Sequence, residues 1–539
     1  MGADLHLAAP FKPGDRVFLR LRFLRFAQPS RSAQLTAALL LALQPAATLR
    51  GQDAATPVFR VNTRIVVLDV VVTDKKGNAV TGLKQSDFSV YEDKQPQTIL
   101  TFEPPSAHVM PPSPDGHAIV NSSADLPKIG NAPITLLVLD ELNTQFTDMS
   151  YARRSLEKYL LAQPEVLNQP TALLVANNTK FVLLQDYTQD RASILKALRA
   201  HMPQYPYKAA TNGGAAAVER IAQTMSSVIQ IAEATRGTPG RKNVIWVGVN
   251  APGVQLTAAD PVTIKEMNDL TRRVTQTLLE DRVTLNYIDP TINQVSTLAV
   301  TSSDDNDSLQ FYDNDPFSVD VDFNQFAPAT GGKIFSSRND INNEIATSID
   351  AGNSYYTLSY SPTNKVEDAA KFRGIHIKLS DPDLTATTRE GYYPEAANAN
   401  NGVNDTSLPT AQRQKLLELD LSQAATSTLA YNGLTFTAQK GTDPAAWQVS
   451  VPGRNLSWQQ LPNGDLQAEV TAMSVAYDGK NKILAHVIRE MQSTLKADDA
   501  TPATVLFPVP VELPGGTKRI RFIIRDAVSG HMGTADVKP

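Results

Sequence analysis

The sequence predicts an α/β fold: a doubly wound, mainly parallel sheet of Rossmann-like type, flanked by β-sandwich modules. Three observations carry this reading. Continuously apolar runs such as "ITLLVLD" (134–140) and "NVIWVGVN" (243–250) have the composition of strands covered on both faces. Helical periodicity returns between them in "MSYARRSLEKYLLAQ" (149–163), "DRASILKALRAHM" (190–202) and "AAAVERIAQTMSSVIQIAEATRG" (215–237). Strands alternating with helices imply crossover connections and a parallel sheet. On either side, in 58–104 and 415–539, strands become short and alternating with turn residues between them, the pattern of antiparallel sheets.

At 539 residues the chain is long enough for several domains. Arg16, Arg20, Arg22, Arg25 and Arg31 precede the apolar "AQLTAALLLALQPAA", which ends in small residues. Basic, apolar, then small is the order of a secretory signal peptide over 1–52, so a secreted or periplasmic protein is expected. The same residues would also suit an N-terminal helix. Next come a β-sandwich module over 58–104, with turns at Lys76-Gly77-Asn78 and Glu92-Asp93-Lys94, and a Pro/Ser/Gly-rich linker over 105–132. The α/β domain runs from 133 to 352. Strands over 353–395 either complete the first sandwich or stand apart from it. A linker at 396–414 leads to a C-terminal β-sandwich domain at 415–539.

Composition excludes several classes of function. The net charge is −5 and no Lys/Arg stripe is present, which argues against nucleic acid as a partner. No stretch of the mature chain is apolar enough to span a membrane. The absence of cysteine removes disulfides, thiol catalysis and thiolate metal sites. There is no HExxH pair, no G-x-S-x-G elbow and no phosphate-loop spacing, and "RGTPGRKN" precedes a strand where a phosphate loop would follow one. A non-catalytic protein is therefore expected, with a hydrolase of envelope polymers as a distant alternative.

Ligands of a doubly wound sheet bind outside the carboxyl ends of its strands. Asp140 ends the first strand of the α/β domain, and "DELNT" (140–144) follows from it. The segment resembles the metal-ion-dependent adhesion site of von Willebrand factor type A domains, which begins Asp-x-Ser-x-Ser. By that resemblance Asp140 and Thr144 are oxygen ligands of a magnesium- or calcium-type ion, with Asn143 beside them and Thr211 as the threonine of a second loop. The match is partial. Leu142 stands in place of the first serine, and Gly248, Val249 and Asn250 stand where a later carboxylate belongs. The same turn would equally serve to cap the following helix. Trp246 reads as core packing.

The wider resemblance is to the VWFA-related proteins abundant in Acidobacteria. It is carried by "VVVTDKKGNAVTGLKQSDFSVYEDKQPQTILTF", "LLVLDELNT", "PGRKNVIWVGVN", "LNYIDP", "ATGGKIF", "YYTLSYSP" and "TREGYYP", in that order. It implies an exported protein–protein interaction module with a degenerate metal site on its top face and an unidentified protein partner. A structural role in the cell envelope, with contacts through the sandwiches, is the alternative. One feature lies outside the resemblance. Asp304, Asp305, Asp307, Asp313, Asp315, Asp320 and Asp322 crowd one segment after the strand "VTLNYIDP". They are either a cation loop or a solvated acidic insertion.

Overall fold

The computed structural model describes residues 65–539 apart from 114–115, 178–179, 204–214, 250–253, 256–260, 292–319, 337–339, 364–370, 395–402, 405–407, 442–445 and 497–498. The expected signal peptide and the start of the 58–104 segment lie outside the described residues. Among those described, no helix is long and apolar enough to cross a membrane.

The chain opens with β1 (Val66–Thr73), β2 (Phe88–Glu92), β3 (Gln95–Gln97) and β4 (Ile99–Glu103). The α/β layer follows: β5 (Ile134–Asp140), α1 (Phe146–Ala162), β6 (Val166–Ala176), β7 (Phe181–Asp190), α2 (Arg191–Ala200), α3 (Ala215–Thr235), β8 (Lys242–Val247), β9 (Val254–Gln255), α4 (Pro261–Glu280), β10 (Val283–Ile288), β11 (Asp320–Val321), α5 (Phe326–Ala329), β12 (Ile334–Phe335) and α6 (Ile341–Asn353). Its six-stranded sheet has the order β12-β10-β8-β5-β6-β7 and is parallel except at β7, which turns back antiparallel to β6.

All seven residues of β5 are buried, as its unbroken apolar sequence requires. Because side chains alternate along a strand, Ile134, Leu136 and Val138 join one core with Ile221 and Met225 of α3 and Val274 of α4. Leu137 and Leu139 join the other core, with Leu156 of α1, Ile194 of α2 and Ile345 of α6. Asp140 is the next residue on the α3/α4 face. That places its carboxyl at the carboxyl end of the sheet, directly above an apolar layer.

After the layer come β13 (Tyr356–Tyr360), β14 (Arg373–Leu379), β15 (Thr385–Thr387) and β16 (Gly391–Tyr392). These pair with the opening strands. One antiparallel sheet runs β15-β1-β13-β4, with Leu68 opposite Leu358, and a second runs β16-β14-β2-β3, with Val90 opposite Ile377. Val70, Phe88, Leu358 and Ile375 of the two sheets share one apolar cluster. The segments left unassigned to each other by sequence are thus strand neighbours, and the α/β layer is inserted between them. Between the tyrosines Tyr360 and Tyr392 lies a buried carboxylate: Glu92 accepts their hydroxyls at 2.7 and 2.9 Å.

The remaining elements are α7 (Thr410–Thr426), β17 (Thr437–Lys440), β18 (Ala446–Pro452), β19 (Trp458–Gln460), β20 (Leu466–Tyr477), β21 (Ile483–Leu495), β22 (Thr504–Pro510), β23 (Arg519–Asp526) and β24 (Met532–Val537). A three-stranded sheet β17-β18-β22 and a five-stranded sheet built on β20 share a core that includes Trp447, Val449, Val470 and Phe522. The outer face of β20 and β23 is covered by Leu421, Ala424 and Ala425 of α7.

Two expectations are corrected. The segment at 105–132 does not behave as a linker, because Val120, Leu126, Ile129 and Ala132 are buried in the α/β core. The span 410–426, which the sequence pattern divides between the linker at 396–414 and the β-sandwich domain at 415–539, is the helix α7. Only Asp420, Leu421, Ala424 and Ala425 of it are buried, too narrow a stripe for periodicity to reveal.

Leu358 sits in β13 between β1 and β4 and is fully buried. Leu358→Ala should therefore lower stability by about 2–5 kcal/mol in urea titration, since it opens a cavity where the two halves of the chain meet.

Candidate functional site

The end of β5 is a turn organised by one carboxylate. Asp140 is fully buried, and its Oδ1 accepts the backbone N–H groups of Leu142 and Asn143, both at 3.0 Å. Its Oδ2 accepts Asn143 Nδ2 at 2.8 Å and the indole Nε1 of Trp246 at 3.1 Å. An aspartate bonding the amides two and three residues ahead is the local device that favours this residue at turns. The indole comes from the neighbouring strand, where Trp246 pairs with Val138 and packs at 5.1 Å from Phe323.

Two further groups tighten the site. Thr144 Oγ1 accepts the Val249 amide at 2.8 Å, tying the turn to the end of β8. Between them Gly248 has no room for a side chain: a Cβ there would lie 2.4 Å from Asp140 Cβ and 2.7 Å from Thr144 Oγ1. Asn143 Nδ2 also donates to Thr224 Oγ1 of α3 at 3.1 Å, while its Oδ1 is buried without a hydrogen-bond partner. Glu141 points elsewhere, with Oε1 2.8 Å from His201 Nε2 beyond the end of α2. The electrostatics follow from this burial. Desolvation pushes the Asp140 carboxyl up to about 6, although the bonds from Asn143, Trp246 and Leu142 pull it down.

The sequence-predicted ligands therefore divide. Asp140, Asn143 and Thr144 are brought together. Thr211 lies outside the described residues, as do Asp304, Asp305, Asp307, Asp313 and Asp315. Asp320 belongs to β11, which pairs with β9, and its side chain lies outside the described residues. Asp322 is a cap, accepting the Asn324 amide at 3.0 Å. Among the described residues no group of three or more His, Asp or Glu is placed to hold an ion. A hard cation needs oxygens with lone pairs to spare. Here four N–H bonds converge on the one carboxylate, Leu142 is buried in the serine position, and no acid follows β8. The described residues do not by themselves fit the ion that the resemblance implies.

Sequence reasoning missed Trp246, Gly248, Thr224 and His201 as parts of this site. Trp246 carried a signal: a buried indole needs an acceptor, and this one sits one position below the end of its strand. Around the turn the surface carries Phe146, 47% exposed, and Met202, 80% exposed. Asp289 at the end of β10 accepts the Thr291 amide and hydroxyl at 2.9 and 2.8 Å. Burial, and then the nearby Asp289, push the Asp148 carboxyl up.

No family model matches the chain, and no curated protein matches it. Among solved structures it is weakly similar to proximal thread matrix protein 1 from the mussel byssus, at 9% identity and a TM-score of 0.22, over 43% of this chain and 49% of that one. It thus spans about half the length of the mussel protein. It is also weakly similar to the VWA domain of SpRpn10, at 10% identity and a TM-score of 0.16, covering 30% of this chain and 90% of that domain. The human COPII-coat protein Sec24c matches at 9% identity and a TM-score of 0.23, over 55% and 50% of the two chains.

The folded pKa of Asp140 stands above its unfolded value of 3.8. Its contribution to stability is therefore fully present below about pH 4 and is lost as pH rises through about 6, by roughly 3 kcal/mol. Asp140→Asn keeps one acceptor but turns an amide NH₂ toward the donors of Asn143 and Trp246. It should cost about 1–3 kcal/mol at pH 5, and the gap to the natural protein should narrow above pH 6 in urea titrations.

Proposed function

We propose that the chain is an exported, non-catalytic protein–protein interaction module that binds its partner at the top face of a von Willebrand factor type A-like layer. The flanking pairs of sheets are read as β-sandwich modules that hold this layer. The degenerate adhesion site works as a structural lock. The observation that carries this reading is the saturation of Asp140 by four N–H bonds. A carboxylate so engaged holds the turn, so binding falls to the surrounding surface, where Phe146 and Met202 are exposed. Large apolar side chains left in water near a strand-end turn support a contact surface.

A second reading, a structural component of the envelope that works through its sheets, is favoured by one feature. β21 is a strand of 13 residues that pairs on one side only, with β20, among the described residues. An unpaired edge of that length can add a strand from another chain.

Two measurements test the reading. Calorimetric titration with Mg²⁺, Mn²⁺ and Ca²⁺ should give the same heats for the natural chain and for Asp140→Asn; saturable binding that vanishes in the variant would mean a working ion site. Partner capture from envelope extracts should fail for the pair Phe146→Asp and Met202→Asp with the melting temperature retained. Capture lost instead on changing Val487 to Pro in β21 would favour the second reading.

A further inference from the structure

The C-terminal module meets the α/β layer through neutral hydrogen bonds, the buried Leu429 and a cluster of charged groups. The segment that follows α7 lies along β7 and the end of α3. There the Thr428 hydroxyl donates to the Phe181 carbonyl at 2.9 Å and accepts the Leu183 amide at 3.1 Å. Asn432 donates its side-chain amide to the Ala234 carbonyl at 3.0 Å. Under this segment Arg236 lies so close to Gly433 that a Cβ would come within 2.8 Å of its Cδ. The guanidinium of Arg236 is turned to Asp281, with Nε 2.9 and 3.1 Å from the two carboxylate oxygens.

Glu233, one helical turn earlier, is 2% exposed and poorly served. Arg236 Nη1 stands 3.5 Å from its Oε1, and Oε2 is buried with no hydrogen-bond partner. The charged groups acting on it are Arg236 of the α3 terminus, Asp281 of the turn before β10, Asp420 of α7 and Arg525 of β23. Arg525 is itself paired to Asp420 at 3.1 Å. The buried Tyr431 phenol faces Glu233 from the docked segment, and His531 stands near Arg236 and Asp281. Arg273 and Lys242 lie at the margin, near Asp420 and Asp281 respectively. Counting the groups that act on Glu233 directly, three carboxyls including its own face two guanidiniums. With Asp281 and Asp420 each already held by an arginine, Glu233 is the carboxyl in excess. A buried ion without its own donor costs far more than the buried neutral acid does.

We propose that this contact is a proton-controlled clasp between the α/β layer and the C-terminal module, closed while Glu233 is a neutral acid and loosened once it ionises. Burial pushes the Glu233 carboxyl up to about 7, with Arg236 opposing and Asp281 and Asp420 adding to the effect. In the opened contact the group returns to water and to its ordinary value of 4.5. The clasp is therefore strongest below about pH 4.5 as far as this group is concerned, and weakens as pH rises through about 7. His531 acts in the opposite sense at the acid end, because burial lowers its pKa and its protonation favours opening.

Hydrogen exchange of the full chain tests this at the amide of Asn432, which bonds the Glu233 carbonyl across the contact. Glu233→Gln keeps the shape and removes the titration, while leaving His531 in place. After correction for intrinsic rates, protection of 427–434 in the natural protein relative to the variant should fall about thirtyfold between pH 5.5 and pH 8.5. Equal protection ratios at both pH values would overturn the clasp. If the glutamine variant does not fold, Glu233→Met replaces it. The natural protein also provides an internal control. A loss confined to 427–434 and α7, with α1 unchanged, is expected; an equal loss in α1 would mean global destabilisation and overturn the proposal.

Discussion

One two-residue turn ties the α/β layer to the opening sheet and reaches toward the C-terminal module. Asp281 and Arg282 lie between α4 and β10 and point to different neighbours. Asp281 takes the guanidinium of Arg236, which lies under Gly433 of the C-terminal module. Arg282 grips Asp69 of β1 at 2.5 and 3.2 Å, and bonds the Thr357 hydroxyl of β13 at 2.9 Å. To do so Arg282 adopts a φ of +54°, a left-handed conformation that costs an L-residue about 1 kcal/mol or more. The bidentate pair offsets that cost. Asp69 is pulled below the usual carboxylate range by Arg282 despite its burial.

Around that pair the amino ends of the strands carry a dense set of polar groups, some of them, such as Arg241 Nε and Nη1, buried without a hydrogen-bond partner. Tyr355 stacks on His108 at 4.3 Å between the opening sheet and the α/β layer, and Arg241 lies 5.4 Å over the same ring. Lys242 donates to the Thr238 carbonyl, and burial lowers its pKa to about 8. Removing one member of such a set would strand a buried charge, so the groups are mutually required even where each pair adds little net stability. The opening strands also cannot be understood alone: the partners of β1, β13 and β15, come from the far side of the inserted layer in the chain.

What the sequence made legible follows from what local pattern encodes. The strand "ITLLVLD" and the helices after it were readable because burial on two faces and on one face leaves different periodicities. The position of Asp140, Asn143 and Thr144 at one strand end followed from the fold. The distant partners of the turn did not, because Trp246 reaches Asp140, and Thr224 reaches Asn143, from elements 80 or more residues away. Helix α7 was hidden by its narrow apolar stripe. The buried residues of 105–132 were hidden by the Pro and Ser around them, which signal turns and carry no information on whether those turns are packed.

The two ends of the central sheet thus have different chemistry for a common physical reason. Strands of six or seven residues are about 20 Å long, so it is distance that keeps the charges at one end weakly coupled to those at the other. At the amino ends, carboxylates meet guanidiniums: Asp69–Arg282 joins the opening sheet to the α/β layer, and Asp281–Arg236 lies within the layer, beside the C-terminal module. At the carboxyl end, among the described residues, Asp140 meets only neutral N–H donors, which bring no counter-charge. Four such bonds can orient a carboxylate without cancelling the cost of burying it, which is why desolvation outweighs them and its pKa rises. A cation placed there would cancel the charge, but it would have to displace the donors that define the turn. The same bonds that make "DELNT" rigid are therefore those that close it to an ion of the standard kind.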